Sequence, residues 1–231
     1  MMGTARKKVV VLTGAGISAE SGIKTFRDAG GLWEGHDVME VASPQGWTKN
    51  MELVLDFYNQ RRRQLRDVQP NAAHLALVQL ETAYDVTIVT QNVDDLHERA
   101  GSTAIIHLHG ELLKARSTYD EKVVDCNDDI HRGDMCTHGF QLRPHIVWFG
   151  EAVPMLETAA YHVTEADYII VIGTSMQVYP AAGLTDYAQP GTHTYFIDPN
   201  PAISARKDLS IYPVKATEGV PLVINELLSK H

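Results

Sequence analysis

The feature that most constrains this chain is an apolar run that leads directly into a glycine-rich turn. Residues 9–13 read VVVLT, and GAGISAESG follows at once. β-Branched residues favour a buried central strand. Gly14 and Gly16 permit a sharp turn whose backbone N–H groups approach a pyrophosphate, and the next helix would direct its positive end at that anion. The pattern predicts a dinucleotide-phosphate site; an ordinary strand-to-helix turn is the alternative.

The acidic residue that often follows such a turn is not in its usual setting. Glu34 has the spacing of about 20 residues at which an acid holds the adenosine ribose. Gly30, Gly31 and Trp33 precede it, and these residues indicate a loop rather than the end of a second strand. We therefore expect the ribose partner to come from elsewhere in the chain.

Composition narrows the class of protein. The 231 residues are 44% hydrophobic with a formal net charge of -9, which is enough for one core and a smaller appendage. An acidic chain binds nucleic acid poorly, and only residues 61–63 form an arginine run. The first apolar run is too short for a signal peptide or a membrane span. Two cysteines fit a reducing compartment, and we therefore expect a cytoplasmic protein. We expect it to bind neither nucleic acid nor membrane, and the sequence does not predict its oligomeric state.

Apolar, β-rich runs recur along the chain with helical segments between them. The runs cover residues 9–13, 86–90, 105–108, 168–172, 194–197 and 210–214. Helical periodicity is clearest over 71–83 and 220–228, and Pro221 fits the first turn of the second segment. The first segment is predicted to bury one face, made of Ala72, Leu75, Ala76 and Leu80. This alternation predicts an α/β fold with a doubly wound, Rossmann-like parallel sheet.

Two stretches interrupt this alternation. Residues 36–69 carry an amphipathic helix over 51–66, and residues 112–143 are polar and rich in Asp, His and Cys. We expect both insertions to build a smaller domain. The Rossmann-like part would then consist of residues 1–35, 70–111 and 144–231, with the ligand cleft between the two parts.

Polar side chains follow the second predicted strand. Asn92 and Asp94 come directly after it, where the carboxyl ends of parallel strands face the ligand crevice. Helix capping by either residue is the structural alternative. Further along, alternation in IHLHG turns His107 and His109 to one side, and His109 is the one predicted to take a proton near neutral pH. For His107 we expect a structural role.

Tyr58 and Arg61 form the last candidate pair. They are three residues apart on a predicted helix and therefore share a face. A phenol beside a guanidinium suits a carboxylate ligand. Because two more arginines follow, a solvated basic face is the alternative.

Five motifs, taken in order, resemble a known family. They read TGAGISAESGIKTFR, TQNVDDLHERAGS, LHGEL, PHIVWFGE and IGTSMQVYP. In this order they resemble the sirtuins, which are NAD-dependent protein lysine deacylases, and the resemblance covers nearly the whole chain. Tyr58, Arg61 and the small Ala42 resemble the bacterial class that also removes succinyl and malonyl groups.

The resemblance implies a reaction and a set of site residues. Acyl groups are removed from lysine side chains, and nicotinamide and O-acyl-ADP-ribose are released. His109 is implied as the general base, with Asn92 and Asp94 at the ribose-side water and the nicotinamide carboxamide, and Gln91 at the ribose hydroxyls. The remaining implied NAD contacts are Gly14, Ala15, Gly16, Ala19, Glu20, Thr25, Phe26, Arg27, Trp33, Gly173, Thr174, Ser175, Asp198, Asn200 and Ala216.

The resemblance also implies how the acylated protein binds. A lysine-bearing segment of the substrate protein would add as an extended strand, so that main-chain bonds tolerate many sequences. The implied contacts to it are Val147, Phe149, Gly150 and Glu151. Two other functions remain open, an NAD-consuming mono-ADP-ribosyltransferase or glycohydrolase and a non-catalytic NAD-sensing regulator.

The polar insertion departs from the family pattern. Sirtuins usually bind a structural zinc through two C-x-x-C pairs, but Ser117 stands at the first cysteine position, which leaves only Cys126 and Cys136. Two thiolates do not complete a tetrahedral site. A site completed by His131 and His138 is the alternative to the interpretation that we favour, which is loss of the metal.

Overall fold

The computed structural model describes residues 5–24, 32–33, 35–176, 178–204 and 206–230. Its strands are β1 (Lys8–Thr13), β2 (Leu32–Trp33), β3 (His36–Asp37), β4 (Asp85–Thr90), β5 (Ile105–His107), β6 (Gly110–Ser117), β7 (Val123–Asp125), β8 (Leu142–Ile146), β9 (Tyr168–Ile172), β10 (His193–Ile197) and β11 (Leu209–Tyr212). Its α-helices are α1 (Gly16–Ala19), α2 (Val38–Val41), α3 (Pro44–Lys49), α4 (Met51–Asp67), α5 (Ala72–Leu80), α6 (Leu96–Ala100), α7 (Leu156–Thr164) and α8 (Ala216–Leu228). A 3-10 helix covers Ala181–Tyr187.

Six parallel strands form the main sheet in the order β11-β10-β9-β1-β4-β5. The chain leaves β1 toward β4 and β5, then returns to the other side of β1 to add β9, β10 and β11. The topological switch therefore lies at β1, and in open α/β sheets ligands bind at such a point, beyond the carboxyl ends of the strands. The predicted doubly wound α/β class is confirmed.

Helices cover both faces of this sheet, which explains why β1 is apolar without interruption. Val9 and Val11 pack in a core with α5 and α8, whereas Val10 and Leu12 pack in a second core with α7. Residues of β1 beyond Lys8 are all buried. A strand buried on both faces reads as a continuous hydrophobic run rather than as an alternating one.

A smaller antiparallel sheet, in the order β7-β6-β8, lies in the polar insertion. The sheet extends past the predicted limits of 112 and 143, because the central strand β6 begins at Gly110, which pairs with Ile146 at the end of β8. Leu112 and Ile146 pack with Phe57, Tyr58 and other residues in a core of their own. Asn50 starts α4 by accepting a hydrogen bond from the Leu53 N–H at 3.1 Å.

The buried face of α5 differs from the predicted one. Ala76 and Leu80 are buried as expected, but Leu75 is 50% exposed and Ala72 is exposed. Ala73 and Leu77 are buried instead. Both sets satisfy the three-to-four spacing of a helix, and packing against the sheet and α8 selects between them. The helix also ends at residue 80, and a turn covers residues 81–83.

Helix α8 begins four residues before the predicted start, so Pro221 lies inside the helix rather than in its first turn. A residue far away in the sequence explains this earlier start. The Glu20 carboxylate accepts hydrogen bonds from the backbone N–H and the hydroxyl of Thr217, at 3.1 and 2.7 Å. This contact caps the helix at its earlier start. Among the described residues, no helix combines the length and apolar character that a bilayer crossing requires.

Candidate functional site

The glycine-rich turn packs tightly against the loop that follows β9. The Gly14 N–H donates to the Ile172 carbonyl at 3.0 Å, and the Gly16 N–H donates to the Gly173 carbonyl at 2.9 Å. A Cβ at Gly16 would lie 2.6 Å from Gly173 Cα. The glycines are therefore needed to let two loops meet, and their N–H groups are not available to a phosphate. Within the described residues, the Ala15 N–H is the one in this turn that donates to no protein acceptor.

A buried polar network joins this turn to the end of β4. The Ser18 hydroxyl donates to Asp94 Oδ2 at 3.0 Å. The Asn92 amide donates both to the Ser18 hydroxyl, at 3.2 Å, and to the Gly14 carbonyl, at 3.1 Å. All three side chains are buried. Sequence analysis missed Ser18, although its place inside the GAGISAES motif, with apolar neighbours on both sides, was a signal for it.

Asp94 has two structural partners and an altered acidity. Its Oδ1 accepts a hydrogen bond from the Leu96 N–H at 3.2 Å, at the start of α6. Asp94 thus closes a short turn before α6, whereas Asp95 holds the capping position and makes no side-chain capping bond. Burial raises the pKa of Asp94 to about 6, and hydrogen bonds from the Leu96 N–H and Ser18 partly oppose this shift. The carboxyl group is ionised at neutral pH and gains a proton in mild acid.

His109 lies between β5 and β6, where the chain passes from the large sheet to the small one. Its Nδ1 is 3.0 Å from the Gln91 carbonyl oxygen. A carbonyl only accepts, so Nδ1 carries the hydrogen and Nε2 keeps a lone pair. Burial lowers the pKa of His109, which keeps the ring neutral at pH 7. The next residue, Gly110, has φ of +84°, and a Cβ there would lie 2.0 Å from the His145 carbonyl oxygen.

His107 supports the same loop from its other side. Its Nδ1 lies 3.2 Å from the Asn92 carbonyl oxygen, and its Nε2 lies 2.7 Å from Glu98 Oε1. Burial alone would lower the pKa of His107, but the hydrogen bond and charge of Glu98 outweigh it and raise the pKa. Both nitrogens then donate, and the ring holds the backbone at Asn92.

The loops after β9 and β10 lie beside this network. The Gln91 amide donates to the Thr174 hydroxyl at 3.2 Å. Asp198 is buried, and its carboxylate accepts the Asn200 N–H at 2.9 Å, so the carboxylate shapes its own turn. The side chain of Asn200 is exposed. Among the other implied NAD contacts, Ala216 is buried at the start of α8, and the Glu20 carboxylate is engaged with that helix rather than with the crevice.

The segment implied as the peptide partner is itself strongly held. The Glu151 carboxylate accepts hydrogen bonds from Arg143, Arg116 and the Trp148 N–H, at distances of 2.7 to 3.1 Å. The Phe149 N–H donates to the Ala42 carbonyl at 3.0 Å, and the Val147 N–H to the His109 carbonyl at 2.9 Å. Glu151 is therefore a structural clamp. The Phe149 ring is 45% exposed and Gly150 is exposed.

Tyr58 lies beneath this segment on α4. It is fully buried, and its hydroxyl oxygen accepts a hydrogen bond from Trp148 Nε1 at 3.1 Å. The Trp33 ring, implied as an NAD contact, packs edge-on against the Tyr58 ring with centroids 6.1 Å apart. The Arg61 guanidinium lies over the Phe57 ring, 4.4 Å from its centroid.

The expected zinc module does not offer a complete set of ligands. The Ser117 hydroxyl donates to Cys136 Sγ at 3.3 Å, and the Cys126 thiol donates to the Asp128 carbonyl at 3.3 Å. Among the described residues, no group of three or more His, Cys, Asp or Glu side chains is placed to hold a metal. These residues do not fit a tetrahedral zinc.

The structure thus brings a subset of the sequence-predicted residues together at the carboxyl ends of β1, β4 and β9. Gln91, Asn92, Asp94 and His109 meet there with the turns at 14–19 and 173–175. Thr25, Phe26 and Arg27, expected in a loop that closes over the cofactor, lie outside the described residues.

Comparison with known proteins identifies the family. The model of the Sir2 family matches residues 14–180. The chain belongs to the Sir2 family. This Sir2 family member is 63% identical to a Helicobacter pylori protein named NAD-dependent protein deacylase, over 84% of this chain and 85% of that protein. It is 51% identical to a Bacteroides thetaiotaomicron protein of the same name, over 93% of this chain and 95% of that protein.

Solved Sir2 structures share the fold. A Sir2 homologue in complex with NAD superposes on this Sir2 family member with a TM-score of 0.86 at 40% identity, covering 97% of this chain and 91% of that one. A Sir2 protein bound to an acetylated peptide superposes with a TM-score of 0.77 at 28% identity, covering 96% and 93%. The predicted sirtuin membership is confirmed.

Proposed function

We propose that this protein is an NAD-dependent protein lysine deacylase that acts on acetyl-lysine and, through Tyr58 and Arg61, on succinyl- and malonyl-lysine. The single observation that carries the proposal is the neutral imidazole of His109, held by the Gln91 carbonyl at 3.0 Å beside the buried Ser18, Asn92 and Asp94 network. Its curated relatives carry the name NAD-dependent protein deacylase.

The residues of the crevice fit NAD. The Ala15 N–H has no protein acceptor among the described residues, and Asn92 and Asp94 are buried amide and carboxyl groups of the kind that pair with a carboxamide. When bound, NAD supplies the ribose carbon that receives the acyl oxygen as nicotinamide leaves. We assign the nicotinamide side to Asn92 and Asp94, and the phosphate and adenosine side to the turns at 14–19 and 173–175.

His109 acts as the base in this scheme. Because its Nδ1–H is committed to the Gln91 carbonyl, Nε2 accepts the proton from a ribose hydroxyl. Its lowered pKa keeps Nε2 unprotonated at neutral pH. Asp94, ionised above pH of about 6, accepts hydrogen bonds and fixes the orientation of the reacting group.

The acyl-lysine is proposed to enter between the small sheet and the six-stranded sheet. This entry rests on the predicted division into a Rossmann-like part and a smaller domain. A Sir2 structure bound to an acetylated peptide supports a peptide substrate. Since Glu151 is a clamp, the substrate chain would pair with main-chain groups at Val147, Phe149 and Gly150. A cytoplasmic location, with no nucleic acid or membrane partner, stays a prediction from composition.

A product assay tests this function. The protein is incubated with NAD and either an acetyl-lysine or a succinyl-lysine peptide, and the products are quantified by mass spectrometry. With each peptide, we expect nicotinamide, deacylated peptide and O-acyl-ADP-ribose to form in equal amounts to one another. Nicotinamide without deacylation would identify a transferase or glycohydrolase, and no turnover at all would identify an NAD sensor; either result contradicts the proposal.

A further inference from the structure

The contact between Trp148 and Tyr58 has an unusual consequence for the tyrosine. Both side chains are buried, Trp148 at 2% exposure and Tyr58 at 0%. The indole N–H donates to the Tyr58 hydroxyl oxygen at 3.1 Å. An indole N–H has no acceptor capacity, so the direction of this hydrogen bond is fixed.

In the part of the chain that the structure describes, the Tyr58 hydroxyl hydrogen has no protein acceptor. Among the described residues, the hydroxyl accepts from Trp148 and donates to no oxygen or nitrogen. Burial raises the pKa of Tyr58, so the phenol keeps its hydrogen across the physiological range. A buried donor with no acceptor is costly, and a carboxylate oxygen of an acyl group bound beside Tyr58 would satisfy it.

Trp148 is held in place by charged groups on its other side. The Arg143 guanidinium lies over its ring, 3.3 Å from the centroid. Arg143 forms a two-point pair with Glu151, and the Trp148 backbone N–H donates to the same carboxylate at 2.8 Å. Trp47 packs against the ring as well, with centroids 5.7 Å apart. The indole thus has one orientation, and its N–H stays directed at Tyr58.

We propose that Trp148 is a positioning residue for acyl selectivity: its N–H occupies the acceptor side of the Tyr58 hydroxyl and so presents the hydroxyl hydrogen to the carboxylate of a succinyl or malonyl group. This inference rests on the proposed function of Tyr58 and Arg61. An acetyl group has no carboxylate, so the orientation of the hydroxyl matters for acidic acyl groups and much less for acetyl.

The test is a mutant cycle read on two substrates. Trp148→Phe, Tyr58→Phe and the double variant are compared with wild type for kcat and KM on succinyl-lysine and acetyl-lysine peptides of one sequence. We expect Trp148→Phe to raise KM for the succinyl peptide about fivefold relative to the acetyl peptide, the effect of one neutral hydrogen bond. In the Tyr58→Phe background the same change should leave the succinyl-to-acetyl ratio unaltered.

A shape-matched variant separates the hydrogen bond from packing. Site-specific replacement of Trp148 by benzothienylalanine keeps the bicyclic shape and substitutes sulfur for the N–H, so folding and the Arg143 contact are retained. It should reproduce the selectivity change of Trp148→Phe. An unchanged succinyl-to-acetyl ratio in this variant, or an equal further loss in the Tyr58→Phe background, would overturn the inference.

Arg61→Met distinguishes failure of this inference from failure of the proposed function. If Arg61→Met and Tyr58→Phe lower succinyl turnover selectively but the Trp148 variants do not, the role of Trp148 is wrong and the proposed roles of Tyr58 and Arg61 stand. If Arg61→Met and Tyr58→Phe reduce both substrates equally, the acidic-acyl assignment itself is wrong, and the inference falls with it.

Discussion

At the scale of single residues, hydrogen bonds to backbone carbonyls decide which atoms the site offers to a ligand. The Gln91 carbonyl takes the Nδ1 hydrogen of His109 and leaves Nε2 as a base. The Asn92 carbonyl accepts the Nδ1 hydrogen of His107, and the Glu98 carboxylate accepts the Nε2 hydrogen. Both ring nitrogens of His107 are therefore used in structural hydrogen bonds. Two histidines separated by one residue therefore have opposite pKa shifts and different roles.

His109→Tyr tests the residue proposed as the base. Loss of a general base lowers rates by about 100-fold or more, so we expect kcat on an acetyl-lysine peptide to fall at least that far while NAD binding, measured by calorimetry, changes little.

In wild type, kcat/KM should fall as pH drops below about 6, because Asp94 gains a proton there and the lowered pKa of His109 also lies on the acid side.

His138→Tyr is the matched control for that experiment. Its side chain is 56% exposed on the polar insertion, so the same substitution there should leave kcat and its pH profile unchanged. Full activity of His109→Tyr would show that another group removes the proton.

At the scale of elements, the side chains of α4 hold the loop that follows Cys126. The Asn59 side chain donates to the Ile130 carbonyl and accepts from the Ile130 N–H, both at 2.9 Å. The buried Arg62 donates to Asn59 Oδ1 at 2.8 Å and to the Leu112 carbonyl at 3.0 Å. Arg63 pairs with Asp129. These contacts connect the helix to the loop without a metal.

Asn59→Ala should therefore destabilise the protein. It leaves the buried Ile130 N–H and Arg62 without their partner, which costs about 2–3 kcal/mol in the free energy of unfolding, measured by denaturant titration. Gln60→Ala is the control, because Gln60 is the next residue on the same helix and donates to Asp56 in an exposed pair; we expect a change within about 0.5 kcal/mol. Equal effects of the two substitutions would contradict the role assigned to Asn59.

At the scale of the whole molecule, the two sheets meet at His109 and Gly110. Gly110 begins β6 immediately after His109, and the His109 carbonyl accepts the Val147 N–H at 2.9 Å. The small sheet is thus connected to His109, the candidate base, by a peptide bond and by a backbone hydrogen bond. Its integrity bears directly on the crevice, and so does the question of whether a metal helps to organise it.

A chelation experiment addresses that question. We expect purified protein to contain substoichiometric zinc by elemental mass spectrometry, and treatment with a strong chelator to leave both the thermal midpoint and the deacylase rate unchanged, since the described residues of the polar insertion do not form a tetrahedral ligand set. One zinc per chain, removed by chelator with a fall in the thermal midpoint, would show that ligands such as His131 and His138 complete a site.

The sequence by itself determined the doubly wound sheet and most of the crevice. β-Branched runs, a glycine turn and polar residues at strand ends are signals carried by contiguous residues, and parallel strands bring their carboxyl ends to one edge. This is why the sequence predicts that Asn92, Asp94 and His109 lie near one another. Such signals are reliable where the position of a residue in the fold depends on neighbours only a few residues away in the sequence.

Only the tertiary structure decided which partner each polar group takes. Ser18 meets Asp94 across 76 residues of sequence, Trp148 meets Tyr58 across 90, and Thr217 meets Glu20 across 197. No local pattern encodes these separations. Glu20 and Glu151, both expected at ligands, are instead engaged by the protein itself. N–H and O–H donors stabilise a carboxylate, and for these two residues the fold supplies such donors.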